Sequence, residues 1–190
     1  MFSQALQFLL QTVFDLLSLA LLMRFYMQSL RVSFRNPVGE FIIALTDWLA
    51  RPARRVIPGL FGLDLASFIL AWILQLLLLV LLYWTRGFVF GSAPGIAAGI
   101  LLALALLEII RLSLYLLMFV VIVQVMFSWV NPYAPLAPLF NSLARPFLRP
   151  FKRLIPPIGN VDLSPFFVLV LAQLVLILIS QGYRVIAGMF

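Results

Sequence analysis

No cysteine and no histidine occur in the 190 residues, and only six residues are acidic. These absences remove disulfides, thiol nucleophiles, zinc sites of the Cys/His type, imidazole general bases and histidine-ligated haem. Charge is scarce as well: 10% of the chain is Asp, Glu, Lys or Arg, while 65% is hydrophobic. Soluble domains carry about a quarter charged residues, so this chain cannot coat its own core with polar surface. The excess apolar surface must face lipid. The expectation is an all-α integral membrane protein, a single bundle that holds no cofactor.

Apolar runs near the roughly 20 residues a helix needs to cross a bilayer are present in four places. They extend from about Phe2 to Leu30, Leu65 to Trp84, Pro94 to Trp129 and Leu163 to Ile186. The first has no basic leader and no small-residue cleavage site, so Met1 to Leu22 is expected to stay as a membrane helix. Aromatics such as Tyr83, Trp84, Phe127 and Trp129 close the second and third runs, as suits the headgroup region. The third run is about twice the needed length. It reads either as one tilted helix or as two helices breaking near Glu108 and Arg111.

The placement of cations separates those alternatives. With one helix, ten of the 13 Lys and Arg fall on one side: Arg24, Arg31, Arg35, Arg51, Arg54, Arg55, Arg145, Arg149, Lys152 and Arg153. Only Arg86 and Arg184 lie on the other. Two helices would put the basic loops on opposite faces, against the positive-inside rule. Four spans are expected, with both basic loops cytoplasmic, both termini outside, and Pro94 to about Leu101 as an extension or interfacial turn. A bacterial inner membrane is the expected location.

A recurrence supports the same arrangement. Arg51-Pro52-Ala53-Arg54-Arg55-Val56-Ile57-Pro58 returns 98 residues later as Arg149-Pro150-Phe151-Lys152-Arg153-Leu154-Ile155-Pro156, and Asp64-Leu65 and Gln75 return as Asp162-Leu163 and Gln173. One offset kept through a loop and into the next apolar run marks a duplicated unit. The chain divides accordingly into a first repeat (1–86), a connector (87–101) and a second repeat (102–190). Because equivalent segments share an orientation, the repeats are parallel. Within each basic loop, Phe41, Leu45 and Trp48, and later Leu139, Leu143 and Phe147, fall at helical spacing. Each set reads as a short amphipathic helix in the membrane interface, over Gly39 to Ala50 and Pro138 to Leu148. Interruption is expected at Pro52, Pro58, Pro146, Pro150 and Pro156.

At these motifs the chain resembles the YggT family of small bacterial and plastid membrane proteins. The resemblance is carried by Asn36-Pro37, Arg51-Pro52 through Pro58 and Asp64-Leu65, then by Trp129 to Pro132, Arg149-Pro150 through Pro156 and Asp162-Leu163-Ser164-Pro165. It spans nearly the whole chain. The first half departs from it with Ala66-Ser67 where the second has Ser164-Pro165, and Arg24 aligns roughly with Gln124. The resemblance implies a polytopic membrane protein without an established reaction. It also associates such proteins with osmotic or ionic stress, with cell division and nucleoid organisation, and in photosynthetic lineages with cytochrome b haem maturation. This chain lacks the His and Cys that usually ligate or tether haem.

Each polar motif has a plain reading beside a sharper one. Arg51, Arg54, Arg55, Arg149, Lys152 and Arg153 set topology, or they bind anionic lipid headgroups or an acidic membrane-protein partner, at about 1 kcal/mol per surface cation. No base-reading module accompanies them, so nucleic acid is not expected. Asp64 and Asp162 precede membrane helices and read as caps or as partners of loop cations, with Ser164 as an alternative cap before Pro165. Asp15, Glu108 and Arg111 are ionisable groups inside spans, where such groups are costly and often functional. Glu108 and Arg111 can pair at i, i+3, and Asp15 is expected to pair with Arg111 across the bundle. Gln75 and Gln173 read as interhelical hydrogen-bonders. No nucleophile–base set is evident, so an enzyme is not expected. The expected function is a scaffold or assembly factor working through its basic loops. A small channel or transporter subunit is the alternative, and it would need an oligomer because four spans enclose little space.

Overall fold

A computed structural model describes residues 2–57, 64–85, 94–154 and 162–188. It contains six helices: α1 (Phe2–Ser29), α2 (Pro37–Val56), α3 (Leu65–Thr85), α4 (Pro94–Val130), α5 (Ala137–Leu154) and α6 (Ser164–Ala187). No strand occurs among the described residues. Four helices, α1, α3, α4 and α6, are long and apolar enough to cross a membrane. Between 17% and 33% of each apolar window is buried; the rest faces outward, as a bilayer allows and water would not.

The third apolar run is one helix, unbroken through Glu108 and Arg111 and continuous from Pro94. Its 37 residues make a rod of roughly 55 Å, against a hydrocarbon core of about 30 Å. Pro94 to Leu101 is thus an extension of α4 rather than a separate turn. Arg86, Pro58, Pro156 and residues 87–93 of the expected connector lie outside the described residues.

Local chemistry sets the ends of the short helices. After Ser29 the chain turns back through Arg31, whose φ of 53° is left-handed. Arg31 N–H donates to Gln28 O (3.0 Å) and Val32 N–H to Met27 O (2.8 Å), the paired bonds of a Schellman cap. Asn36 then caps α2, its Oδ1 accepting from Gly39 N–H at 2.9 Å, with Pro37 following as the first helical residue. Gly39 is needed here for space: a Cβ on it would sit 2.5 Å from Phe34 O.

The prolines do not end the amphipathic helices as expected. Pro52 lies within α2, and Pro146 and Pro150 within α5. A helical proline frees the carbonyl four residues earlier. Here those carbonyls belong to Trp48, Ser142 and Pro146, all on exposed residues, where water or headgroups can replace the lost bond. α2 and α5 therefore reach Val56 and Leu154.

Gln7 near the start of α1 donates to Thr85 at the end of α3 (3.1 Å), so these two helices are antiparallel. The end of α3 (Leu79) packs with the start of α4 (Leu101, Leu104, Ala105), beside the end of α6 (Tyr183, Ile186). α1 and α4 consequently run in the same direction, and α2 and α5 lie at the same end of the bundle. α1 packs chiefly on α3 and α4 on α6, while α4 also joins the two pairs. The central joint is Leu21 and Leu22 of α1, Ala71 of α3, and Ile109 and Leu112 of α4. A larger cluster at the loop end combines Met23, Met27, Ile42, Val121, Leu139, Leu143 and Val168.

Candidate functional site

The densest polar chemistry lies where α1, α2 and the start of α3 converge. Arg24 interrupts an apolar run and is 4% exposed, so its guanidinium must be met by the protein. Nη1 donates to Thr46 Oγ1 (2.9 Å) and Nη2 to Asp47 Oδ1 (3.2 Å), while Nε lies 3.6 Å from Asp64 Oδ2. Thr46 can accept because its own hydroxyl proton goes to Ile42 O (2.6 Å). The other oxygen of Asp47 pairs with Arg51 one turn on. Arg54 addresses Asp64 through two nitrogens, with Nε 3.3 Å from Oδ1, and also donates to Gln28 Oε1 (3.2 Å).

Asp64 is therefore both cap and ion-pair partner. Its Oδ1 accepts from the N–H of Ser67 (3.3 Å) and its Oδ2 from the Ser67 hydroxyl (2.7 Å). Burial pushes this carboxyl up, but hydrogen bonds from Arg54 and Ser67, with the charge of Arg54, outweigh it and hold it below the ordinary carboxylate range. Three arginines meet two aspartates across three helices.

The second half carries a simpler version. Lys152 Nζ lies 2.8 Å from Asp162 Oδ2, and these residues stand 98 beyond Arg54 and Asp64. Asp162 Oδ1 accepts from Ser164 N–H (2.9 Å). Desolvation raises this carboxyl, and the contacts with Lys152 and Ser164 more than reverse that, leaving it lowered. Nothing replaces Arg24. The offset puts Ile122, Ala144 and Arg145 where the first half has Arg24, Thr46 and Asp47, and the buried Oε1 of Gln124 has no hydrogen-bond partner. Ser164 does not cap α6. It is the first helical residue, Leu163 occupies the cap position, and its buried hydroxyl has no hydrogen-bond partner.

Deeper in the bundle, Gln75 is buried and donates to Asp15 Oδ1 (2.9 Å) and Ser18 Oγ (3.1 Å). The expected Asp15–Arg111 pair is not formed. Arg111 Nε instead lies 2.9 Å from Glu108 Oε2 on its own helix, an ion pair whose alignment falls short of a hydrogen bond. Asp15 is turned toward α3, where the amide of Gln75 meets it. Gln173, at the position equivalent to Gln75, is exposed and does not join helices. Thr46 and Asp47 escape sequence reading because only the return of α2 along α1 gives them a role. The available signals were the isolated Arg24 and the i, i+4 spacing of Asp47 and Arg51.

Of the six loop cations, two are committed to aspartates at helix starts (Arg54 and Lys152) and Arg51 is paired with Asp47. Arg55, Arg149 and Arg153 are exposed and have no acidic partner among the described residues. Electrostatically the loop end can hold its own helices together and still offer unpaired cations to an anion.

The chain is similar to an uncharacterised protein of Pseudomonas aeruginosa, 37% identical over 186 residues, covering 96% of this chain and 91% of that one. It is 35% identical over 172 residues to the uncharacterised protein YggT of Escherichia coli K12 (90% and 86% covered), and 33% identical over 163 residues to a Vibrio alginolyticus protein (84% and 85% covered). No solved structure matches it. The CCB3/YggT family matches residues 3–85 and 103–183; with its four span-length helices, the chain belongs to the CCB3/YggT family.

Proposed function

We propose that this protein is a non-enzymatic membrane scaffold or assembly factor of the bacterial inner membrane, built of two parallel repeats, whose cytoplasmic basic loops engage anionic lipid or an acidic membrane partner. The observation that carries this is the division of labour among the loop cations. In each half one cation is tied to an aspartate at a helix start, while Arg55, Arg149 and Arg153 remain exposed and unpaired among the described residues. On this reading the amphipathic helices α2 and α5 lie in the membrane interface with these cations near their C-terminal ends, where each would contribute about 1 kcal/mol toward an anionic surface.

The test replaces Arg51, Arg54, Arg55, Arg149, Lys152 and Arg153 by Gln. The variant should insert and yet lose co-purifying anionic lipid and membrane partners. Recovery equal to wild type would overturn the proposal. Orientation is measured in parallel, because removing these charges also weakens the topological signal.

The polar group at one level of the bundle (Asp15, Ser18 and Gln75) favours a second reading, a small channel or transporter subunit. Purified protein in liposomes would then pass ions, with loss on Asp15→Asn. Absence of flux across a range of ions and gradients removes that reading.

A further inference from the structure

Between α1, α2, α4 and α5 runs an open lateral groove of about 1030 Å³. It is lined by side chains such as Val13, Leu16, Phe41, Leu45, Trp48 and Phe119. The volume is at the upper limit of ordinary small-molecule sites, about 300–1,000 Å³, but the lining is almost wholly apolar. Trp48 contributes no free donor, since its Nε1–H is used on Leu45 O (2.8 Å). Along α1 the groove extends from Val13 to Met23. Ten helical rises are roughly 15 Å, which is half of a hydrocarbon core of about 30 Å. The groove is therefore one leaflet deep, and the leaflet is the one at the loop end.

Two features choose the occupant. Membrane helices dock on small residues that let backbones approach, and among the groove's lining residues only Ala20 is small. Leu, Phe, Met and Val walls suit a thin, flexible chain better. The second feature is charge. On α2, Trp48 is followed at i+3 and i+7 by Arg51 and Arg55, which continues the same exposed stripe out of the apolar region. Arg55 has no acidic partner among the described residues, and Arg51 remains 79% exposed while paired with Asp47. An apolar slot one leaflet deep, on whose α2 wall the exposed stripe continues past Trp48 to Arg51 and Arg55, has the chemistry of an anionic phospholipid.

We infer that this groove is a specific site for one anionic phospholipid, an acyl chain lying between α1, α2 and α4 and the phosphate held by Arg55 and Arg51. The site rests on the proposed lipid engagement of the basic loops and adds a place, a leaflet and a headgroup charge. Most of the lining comes from α1 and α2 of the first half, and the second half closes the groove with Tyr115, Leu116 and Phe119 of α4 and Phe140 of α5.

Native mass spectrometry of the full chain, titrated with dioleoylphosphatidylglycerol or dioleoylphosphatidylcholine, tests it. Wild type should retain one phosphatidylglycerol in preference to phosphatidylcholine. Leu16→Trp and Leu45→Trp fill the groove from opposite walls at exposed positions and should each reduce retention at least tenfold. Arg55→Gln should lower the phosphatidylglycerol preference about fivefold. Circular dichroism on every variant establishes that the helices persist. Undiminished retention in both filled variants overturns the groove site. If the six-residue neutralised protein still loses lipid, the loop proposal stands without the groove; if it too keeps wild-type lipid, both fall. Equal retention of the two lipids overturns the headgroup assignment. A change of oligomeric state in the filled variants without any retained lipid would assign the groove to a second copy and overturn the inference.

Discussion

Asp64 and Asp162 occupy equivalent places 98 residues apart, and each meets a cation from the helix before it. Their surroundings differ. The Asp64 side chain is 2% exposed and lies against a second, deeply buried arginine, whereas that of Asp162 is 41% exposed and has Lys152 alone. The same motif is thus a buried lock in one half and a surface ion pair in the other. The cause is one residue on the preceding membrane helix. Once Arg24 is buried, Thr46, Asp47 and Asp64 must converge on it, because an unmet buried guanidinium costs several kcal/mol. The second half carries no such charge, and Ala144 and Arg145 are tolerated where Thr46 and Asp47 are required.

The largest effect concerns the comparison itself, which presumes that both halves face the same way. Native cysteine is absent, so Ser33→Cys, Ser142→Cys, Ser3→Cys and Gly188→Cys each report one place to a membrane-impermeant thiol reagent. In intact cells Ser3→Cys and Gly188→Cys should label fully, and Ser33→Cys and Ser142→Cys only after lysis. Opposite behaviour of the two loop cysteines would end the parallel arrangement.

Next comes the energetic contrast. Asp64→Ala leaves the buried Arg24 with Asp47 and Thr46 only and removes the partner of Arg54 and the cap on Ser67. It should cost about 3 kcal/mol, the lower end of the penalty for breaking a buried pair. Asp162→Ala removes an exposed pair and should cost about 1 kcal/mol or less. Thermal melts in one detergent compare them directly; equal losses would refute the division into lock and surface pair.

A smaller difference is expected at Gly39 and its counterpart Ala137. Gly39→Ala places a Cβ 2.5 Å from Phe34 O and should cost about 1–3 kcal/mol, in the range of other overpacked sites. At the other position a Cβ is already accommodated, so Ala137→Gly should cost no more than about 1 kcal/mol. A neutral Gly39→Ala would mean that the turn before α2 relaxes freely.

The smallest effect is on acid stability. Both carboxyls are lowered in the fold, so the folded state binds protons less readily than the unfolded chain. The stability they contribute is complete above the unfolded aspartate value of about 3.9 and is lost as pH falls through the lower folded values. Melting temperature should be level near neutrality and decline below about pH 4. Asp64→Asn should flatten that decline more than Asp162→Asn. Identical profiles would show that burial does not separate the two groups.

The four span-length helices were legible in the chain because fitness to cross a bilayer is a condition on run length and apolarity, which local composition states directly. Continuity of α4 followed from the distribution of cations. Helical spacing located the amphipathic helices, although not their ends. The prolines misled because a proline's effect depends on whether the carbonyl it frees reaches water, and exposure is a tertiary property. The same limit applies to Asp15, whose partner is set by which helix it faces.

By itself the sequence determined helices with four span-length apolar runs and two basic, proline-bearing loops recurring at one offset, because runs and loops are patterns of neighbouring residues and the recurrence is a match of one such pattern to another. Only the tertiary structure decided that Arg24 recruits Thr46, Asp47 and Asp64, that Gln75 and not Arg111 meets Asp15, and that an apolar groove opens beside α2. These contacts join residues between 22 and 60 positions apart. They depend on how helices rotate and lean when long side chains pack, which no local spacing specifies.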